Sequence, residues 1–397
     1  PGKPCRDLLG GRPGKNDPLP FSFAAAHSLY EALFAPIRDE IRNRHLLVVS
    51  SGALSSLPLH VLVTEKPAVA QGRTWADYRH IAWLARSNPI TVLPSAASIK
   101  ALMRGAAKND ARAIPYMGFG NPLLDGNPAD PDEVAAARRA RGLKTCADVA
   151  ALSADAEAGR RALRLLPQDA LPPEREVASI EVLRAQPPLW ETAKEICDVA
   201  QAVNASTEHI YLGSRATEQV LRDLSERGVL RNARIVHFAT HGVLATDSED
   251  AKLQVHGEAG LLLTPPRAGA SYEELRKGDG LLTASEIAQL KLDADWVVLS
   301  ACNSAGGERT GGEALSGLAR AFFFAGARGL LASHWYVDSD ATTDLITGLF
   351  QELKKDGHLR RAEALQRSMR QMFEGASATR AHPTLWAPFV VVGGAAG

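Results

Sequence analysis

The chain has 397 residues, 45% hydrophobic and 23% charged, and its 45 Lys and Arg balance 45 Asp and Glu to a formal net charge of zero. Such a neutral chain gives no electrostatic case for nucleic acid or an anionic membrane surface. No uncharged apolar run reaches the ~20 residues that span a bilayer, and the length suits one large domain or two.

The chain opens on Pro1 and reads as a fragment of something longer. Residues 1–20 are rich in Pro and Gly and read as a linker. Ser28 to Arg42 has helical spacing interrupted by Pro36, and "HLLVVS" (His45–Ser50) is a short buried strand that runs into "SGALSSLP". "HIAWLA" and "ITVLP" are strand-like, and "YMGFGNPLLDGNP" is a strand entering a turn. Ala129 to Arg175, rich in Ala, Arg, Asp and Pro, reads as an exposed insert of helix and loop.

After Pro188 the pattern becomes regular. "WETAKEICDVAQAV" is an amphipathic helix, "HIYLG" a strand, "ATEQVLRDLSERG" a helix closed by Gly228, and "ARIVHFATHG" a strand. "AGLLLTP" is a strand, and "TASEIAQLKL" opens with a capping box, Thr283 with Glu286. "DWVVLSAC" (strand), "GEALSGLARAFFFAG" (helix), "ARGLLASHW" (strand), two helices and the strand "APFVVVGG" complete the chain. Strands alternating with helices predict a mostly parallel α/β sheet covered on both faces. Such sheets carry their sites at the carboxyl ends of the strands.

Two strands end in reactive groups, one at His241–Gly242 and the other at Cys302. In a parallel sheet both ends share one edge, so an imidazole and a thiol 61 positions apart in sequence can meet. A thiol needs a base to become thiolate near neutral pH, and histidine is its natural partner. The backbone N–H groups of Gly242 and Cys302 are candidate oxyanion donors. Taken alone, Cys302 reads first as a buried core thiol and His241 as a structural residue at a turn; their pairing at two strand ends weakens both readings. The other cysteines, Cys5, Cys146 and Cys197, form no C-x-x-C pair and suit a reducing cytosol with free thiols. His237 and His241 have zinc-helix spacing. On a strand, however, residues four apart lie ~13 Å from one another, and the Glu of H-E-x-x-H is absent, so no metal is expected. The G-x-G of "MGFGNP" is a weak dinucleotide signal, and there is no P-loop or G-x-S-x-G elbow.

"HFATHG", "DGLLTASEI", "VVLSACNSAGG", "GGEALSGLARAFFFAGARGLLASHWYVDSDAT" and "HPTLWAPFVVVGG" together resemble the CHAT domain. This is a caspase-like cysteine peptidase domain that is often linked to tetratricopeptide repeats and related to separase. "SLYEALFAPIRDEI", "HLLVVSSGALSSLPLHVLV" and "ITVLPSAASI" extend the resemblance from about Phe21 through nearly the whole chain. It implies a caspase-like sheet flanked by helices and a catalytic dyad of His241 and Cys302, with no cofactor. The family often has Glu after the cysteine; here it is Asn303. "VVSSGAL" (Val48–Leu54) also resembles "FATHGVL" (Phe238–Leu244), with Ser51 in the place of His241. This is either a coincidence of two strand–turn segments or a degenerate duplicate. On the second reading, residues 21–188 are a pseudo-protease half and 189–397 the catalytic half.

The resemblance further implies that the chain after the nucleophile's helix feeds the pocket for the residue preceding the scissile bond. Ser300, Trp335, Asp338 and Asp340 are the candidates there. An Asp in that pocket favours a basic residue, although Asp338 is equally a helix cap. The expected partners are a protein or peptide substrate and an upstream repeat module. The competing reading is a signalling or scaffold module that keeps the fold without turnover.

Overall fold

The structure is a computed structural model that describes residues 20–94, 113–155, 180–243, 258–301, 317–335 and 339–394. The linker assigned to residues 1–20 lies outside these except for Pro20. The N-terminal part contains helix α1 (Phe23–Leu33), strands β1 (Leu46–Val48), β2 (Ile90–Val92) and β3 (Ile114–Gly120), and helices α2 (Pro131–Gly142) and α3 (Cys146–Asp155). Then come α4 (Glu191–Ala202), β4 (Ile210–Leu212), α5 (Glu218–Glu226), β5 (Ala233–Ala239), β6 (Gly242–Val243), β7 (Gly260–Leu262), β8 (Leu281–Thr283) and α6 (Ala284–Gln289). Strand β9 (Trp296–Ser300), α7 (Gly317–Phe324), β10 (Gly329–Ser333), α8 (Ser339–Lys355), α9 (Arg361–Glu374) and β11 (Phe389–Gly393) complete the order.

Eight strands form one sheet in the order β1-β2-β11-β10-β9-β5-β3-β4, and β6-β7-β8 form a small antiparallel sheet beside it. The large sheet is mostly parallel, as the alternation of strands and helices predicts. Its one reversal is the antiparallel pairing of β10 with β11. Strands β10, β9, β5, β3 and β4 therefore point one way and β11, β2 and β1 the other.

Both faces of the sheet are covered, which is why β9 and β11 read as unbroken apolar runs. On one face Trp296, Val298, Leu331 and Val391 pack with Ile196 and Val199 of α4, Leu345 and Leu349 of α8, and Leu365 and Met369 of α9. On the other, Phe119, Phe238, Val297, Leu299 and Val392 pack with Leu221 of α5, Ile287 of α6 and Phe322 of α7. The Thr283–Glu286 capping box forms as expected.

Helix α4 sits unusually close to β3. A Cβ added at Gly118 would lie 2.6 Å from Ile196 Cγ2, and one at Gly120 would lie 3.0 Å from Ile196 Cγ1. The G-x-G of "MGFGNP" is thus neither a turn nor a dinucleotide loop; it is the seat of a helix on a strand.

Two other expectations are corrected. "HIAWLA" is not a strand: Leu84–Arg86 is a 3-10 turn, and only Trp83 bridges to Val63. Trp83, Leu84 and Ala85 are buried consecutively, which a pleated strand with one buried face cannot achieve. The insert after Ala129 is not wholly exposed either. Its α2 and α3 bury Ala137, Ala140 and Val149, and Cys146 of α3 is disulfide-bonded to Cys197 of α4 at a Cα–Cα distance of 5.5 Å. These two cysteines are 51 residues apart in sequence, so their spacing gave no sign of pairing, and the expectation of free thiols fails for both. Cys5 and Cys302 lie outside the described residues.

Candidate active site

The parallel pairing of β5 with β9 sets Ala239 opposite Ser300. Two residues beyond Ala239 comes His241; two beyond Ser300 in sequence comes Cys302, which is outside the described residues. The strand ends are tied by backbone bonds at this point, with Thr240 N–H donating to the Ser300 carbonyl at 3.2 Å. Ser333 of β10 donates its hydroxyl to the Ala301 carbonyl, so the ends of β5, β9 and β10 form one stitched edge.

His241 is half-buried, and its Nε2 lies 2.8 Å from the carbonyl oxygen of Pro187. A carbonyl only accepts, so Nε2 carries the hydrogen and Nδ1 of the neutral ring keeps its lone pair. Burial pulls the imidazole below its usual pKa, and the Pro187 carbonyl offsets part of that. The ring is therefore neutral at pH 7, oriented by its Nε2–H, with Nδ1 available as a base. This orienting group was not legible in the sequence because it is a backbone carbonyl 54 residues away.

Gly242 begins β6 opposite Leu261, and Leu262 N–H donates to the His241 carbonyl at 2.9 Å. The polar groups of successive strand residues point to opposite sides, so the Gly242 N–H points away from β7. That is the disposition an oxyanion donor needs.

The other candidates divide. Ser300 is buried at the end of β9 on the same sheet face as Ala239. Trp335 is half-buried two residues past β10, and its indole N–H donates to the Thr384 carbonyl at 3.3 Å. Asp340 is exposed in the first turn of α8, where a negative charge suits the helix dipole. Asp338 lies outside the described residues.

Two histidines at this edge gave no signal as a pair. His334 follows β10, and neither of its ring nitrogens has a hydrogen-bond partner among the described residues; the same holds for Nδ1 of His60. Burial lowers His60 to about 3, with His334 contributing, and lowers His334 to about 4.

His237 and His241 face different partners. His237 turns to Tyr116 and Glu195, His241 to Pro187, and no cluster of three or more ligand side chains occurs among the described residues. Nor is any helix among them long and apolar enough to cross a membrane.

Residues 24–394 match the CHAT domain. The chain belongs to the CHAT domain family. Tetratricopeptide repeat protein 28 of Mus musculus is 28% identical to this CHAT domain over 200 residues, which is 46% of this chain and 8% of that protein. The domain thus spans less than a tenth of that relative's length. A solved structure of the Arg-specific cysteine proteinase gingipain R is similar at a TM-score of 0.44 and 8% identity, over 94% of this chain and 66% of that one.

Proposed function

We propose that this CHAT domain is a cysteine endopeptidase that cleaves a protein partner with a His241–Cys302 dyad. The observation that carries the reading is His241 at the end of β5, in register with the strand leading to Cys302 and oriented by the Pro187 carbonyl. Nδ1 of His241 takes the thiol proton, and the thiolate attacks the peptide carbonyl. The N–H groups of Gly242 and Cys302 hold the oxyanion. His241 then protonates the leaving amine, and water hydrolyses the thioester. No step calls for a metal or organic cofactor. Ser300 and Trp335 belong to the wall of the pocket, and Asp338 and Asp340 give it a preference for Arg or Lys before the scissile bond. The same reading takes residues 21–188 as a degenerate half and 189–397 as the catalytic half, within a longer chain carrying tetratricopeptide repeats that regulate it.

A fluorogenic peptide panel with Arg, Lys, Leu or Asp before the scissile bond tests this, using the wild type and Cys302→Ala. Cleavage after Arg or Lys that vanishes in Cys302→Ala is the expected result. Equal, background turnover by both proteins returns the domain to a scaffold role. Cleavage after Asp alone removes the acidic pocket but leaves the dyad.

A further inference from the structure

Around His237 of β5, four residues before His241, lies a buried trio that the proposed reaction does not use. Tyr116 of β3 is fully buried, as is His237 of β5, and Glu195 of α4 is 2% exposed. The Tyr116 hydroxyl is 2.8 Å from His237 Nδ1, and His237 Nε2 is 3.0 Å from Glu195 Oε1. Burial drives the Tyr116 phenol well above its usual pKa, with the Glu195 charge adding to the effect, so the hydroxyl keeps its proton and donates to Nδ1. The proton of a neutral His237 is then on Nε2, facing the carboxylate. That contact is close enough for an ion pair but lacks the alignment of a hydrogen bond, and neither atom has a hydrogen-bond partner among the described residues. A buried, misaligned pair is a poor source of net stability, because desolvation offsets the attraction. The pair does, however, join α4 to β5.

The position of α4 matters because its first turn is continuous with the residue that orients His241. Pro187 lies four residues before Glu191, the first residue of α4. The Thr192 hydroxyl donates to the Leu189 carbonyl at 2.6 Å and accepts from the Asn121 N–H at 2.7 Å, at the end of β3. A shift of α4 is therefore a shift of the Pro187 carbonyl. His237 lies within β5 and His241 two residues past its end, so α4 reaches the strand at His237 through Glu195, and the segment that leads into α4 reaches His241 through Pro187.

We propose that Tyr116, His237 and Glu195 are positioning residues for the His241 imidazole, acting through α4 and the Pro187 carbonyl. This rests on the peptidase reading for its catalytic consequence, but the geometry can be read without turnover. In the full chain carrying labelled histidine, the nitrogen NMR signals of His241 report its tautomer directly. The wild type is expected to show a single Nε2–H form. Glu195→Ala is expected to give averaged tautomers at His241 and a kcat lower by about tenfold with KM within about twofold, since a small misplacement acts on the chemical step. Glu195→Gln, which retains an acceptor oxygen beside His237, is expected to restore the single tautomer and most of kcat. A folded Glu195→Ala protein whose His241 keeps its single tautomer overturns the proposal. Should Glu195→Ala not fold, Tyr116→Phe, which deletes one hydroxyl, decides by the same signal. If the wild type cleaves no peptide, the peptidase reading fails, while the His241 spectrum still decides this one.

Discussion

Two strands of the large sheet end in nearly the same way, β5 in His241–Gly242 and β1 in Ser51–Gly52. Their surroundings differ. Strand β5 has seven residues, lies between β3 and β9, and is buried to its end. Strand β1 has three, forms the edge of the sheet, and leaves Leu47 45% and the following Val49 47% exposed. Because β1 runs against the block containing β5, its carboxyl end also lies at the opposite sheet edge. At the end of β5, backbone from Pro187, Leu262 and Ser300 converges; at the end of β1 the chain turns away at Gly52, with a φ of +57°. A strand–turn–glycine sequence makes a turn, and only neighbouring strands and a covering helix give it the surroundings that a site needs.

The sharpest way to break this comparison is to remove both side chains. His241→Ala is expected to lower kcat/KM by at least ~10³-fold, as loss of a general base in a dyad does. Ser51→Ala is expected to leave it within about twofold. Steady-state kinetics on one Arg-containing peptide measures both, and comparable losses would mean that the β1 end takes part in the site.

Most of the strands and the strand end that carries His241 were legible because buried parallel strands announce themselves as apolar runs, and because Gly follows His241 at a visible strand end. What was not legible is carried by groups without a side-chain signature. Pro187 acts through its carbonyl, Gly118 through the absence of a Cβ, and Cys146 and Cys197 through a contact made only when α3 packs on α4. "HIAWLA" misled because a short apolar run has no periodicity to separate a strand from a turn.

The disulfide separates the two regions energetically. It braces α4, which covers the centre of the sheet, and nothing comparable is attached to β1 among the described residues. Closing a loop of this length stabilises by about 4 kcal/mol in the chain-entropy account. Reduction by a dithiol, or Cys197→Ala, is expected to lower the unfolding free energy by roughly that amount. Denaturant titration with and without reductant measures it; coincident curves would remove the brace.

The two regions meet where His60 stands by His334. Both histidines have lowered folded-state pKa values, so between pH ~6.5 and those values the unfolded chain binds more protons than the folded one. Their contribution is intact above pH 6.5 and is lost as the pH falls, each withdrawing about 3 kcal/mol by pH 4. His334→Gln is expected to flatten this acid limb in urea titrations run between pH 7 and pH 4. An unchanged limb would mean that the pair is solvated.

The smallest effects compare two glycines. Gly118→Ala puts a methyl group 2.6 Å from Ile196 Cγ2, an atom on the branched carbon of a fully buried side chain that has little room to yield. Overpacking of this kind costs about 2 kcal/mol. Because relief comes most easily by lifting α4, it also moves the Pro187 carbonyl, so kcat is expected to fall along with stability. Gly52→Ala meets no atom within 4 Å, and its φ of +57° is the only penalty, about 1 kcal/mol. That change occurs at the end of β1, away from α4, so kcat is expected to stay at the wild-type value. The pair separates loss of stability from loss of alignment. If Gly118→Ala loses stability yet keeps full kcat, α4 tolerates displacement, and the centre of the sheet owes its site to strand register alone.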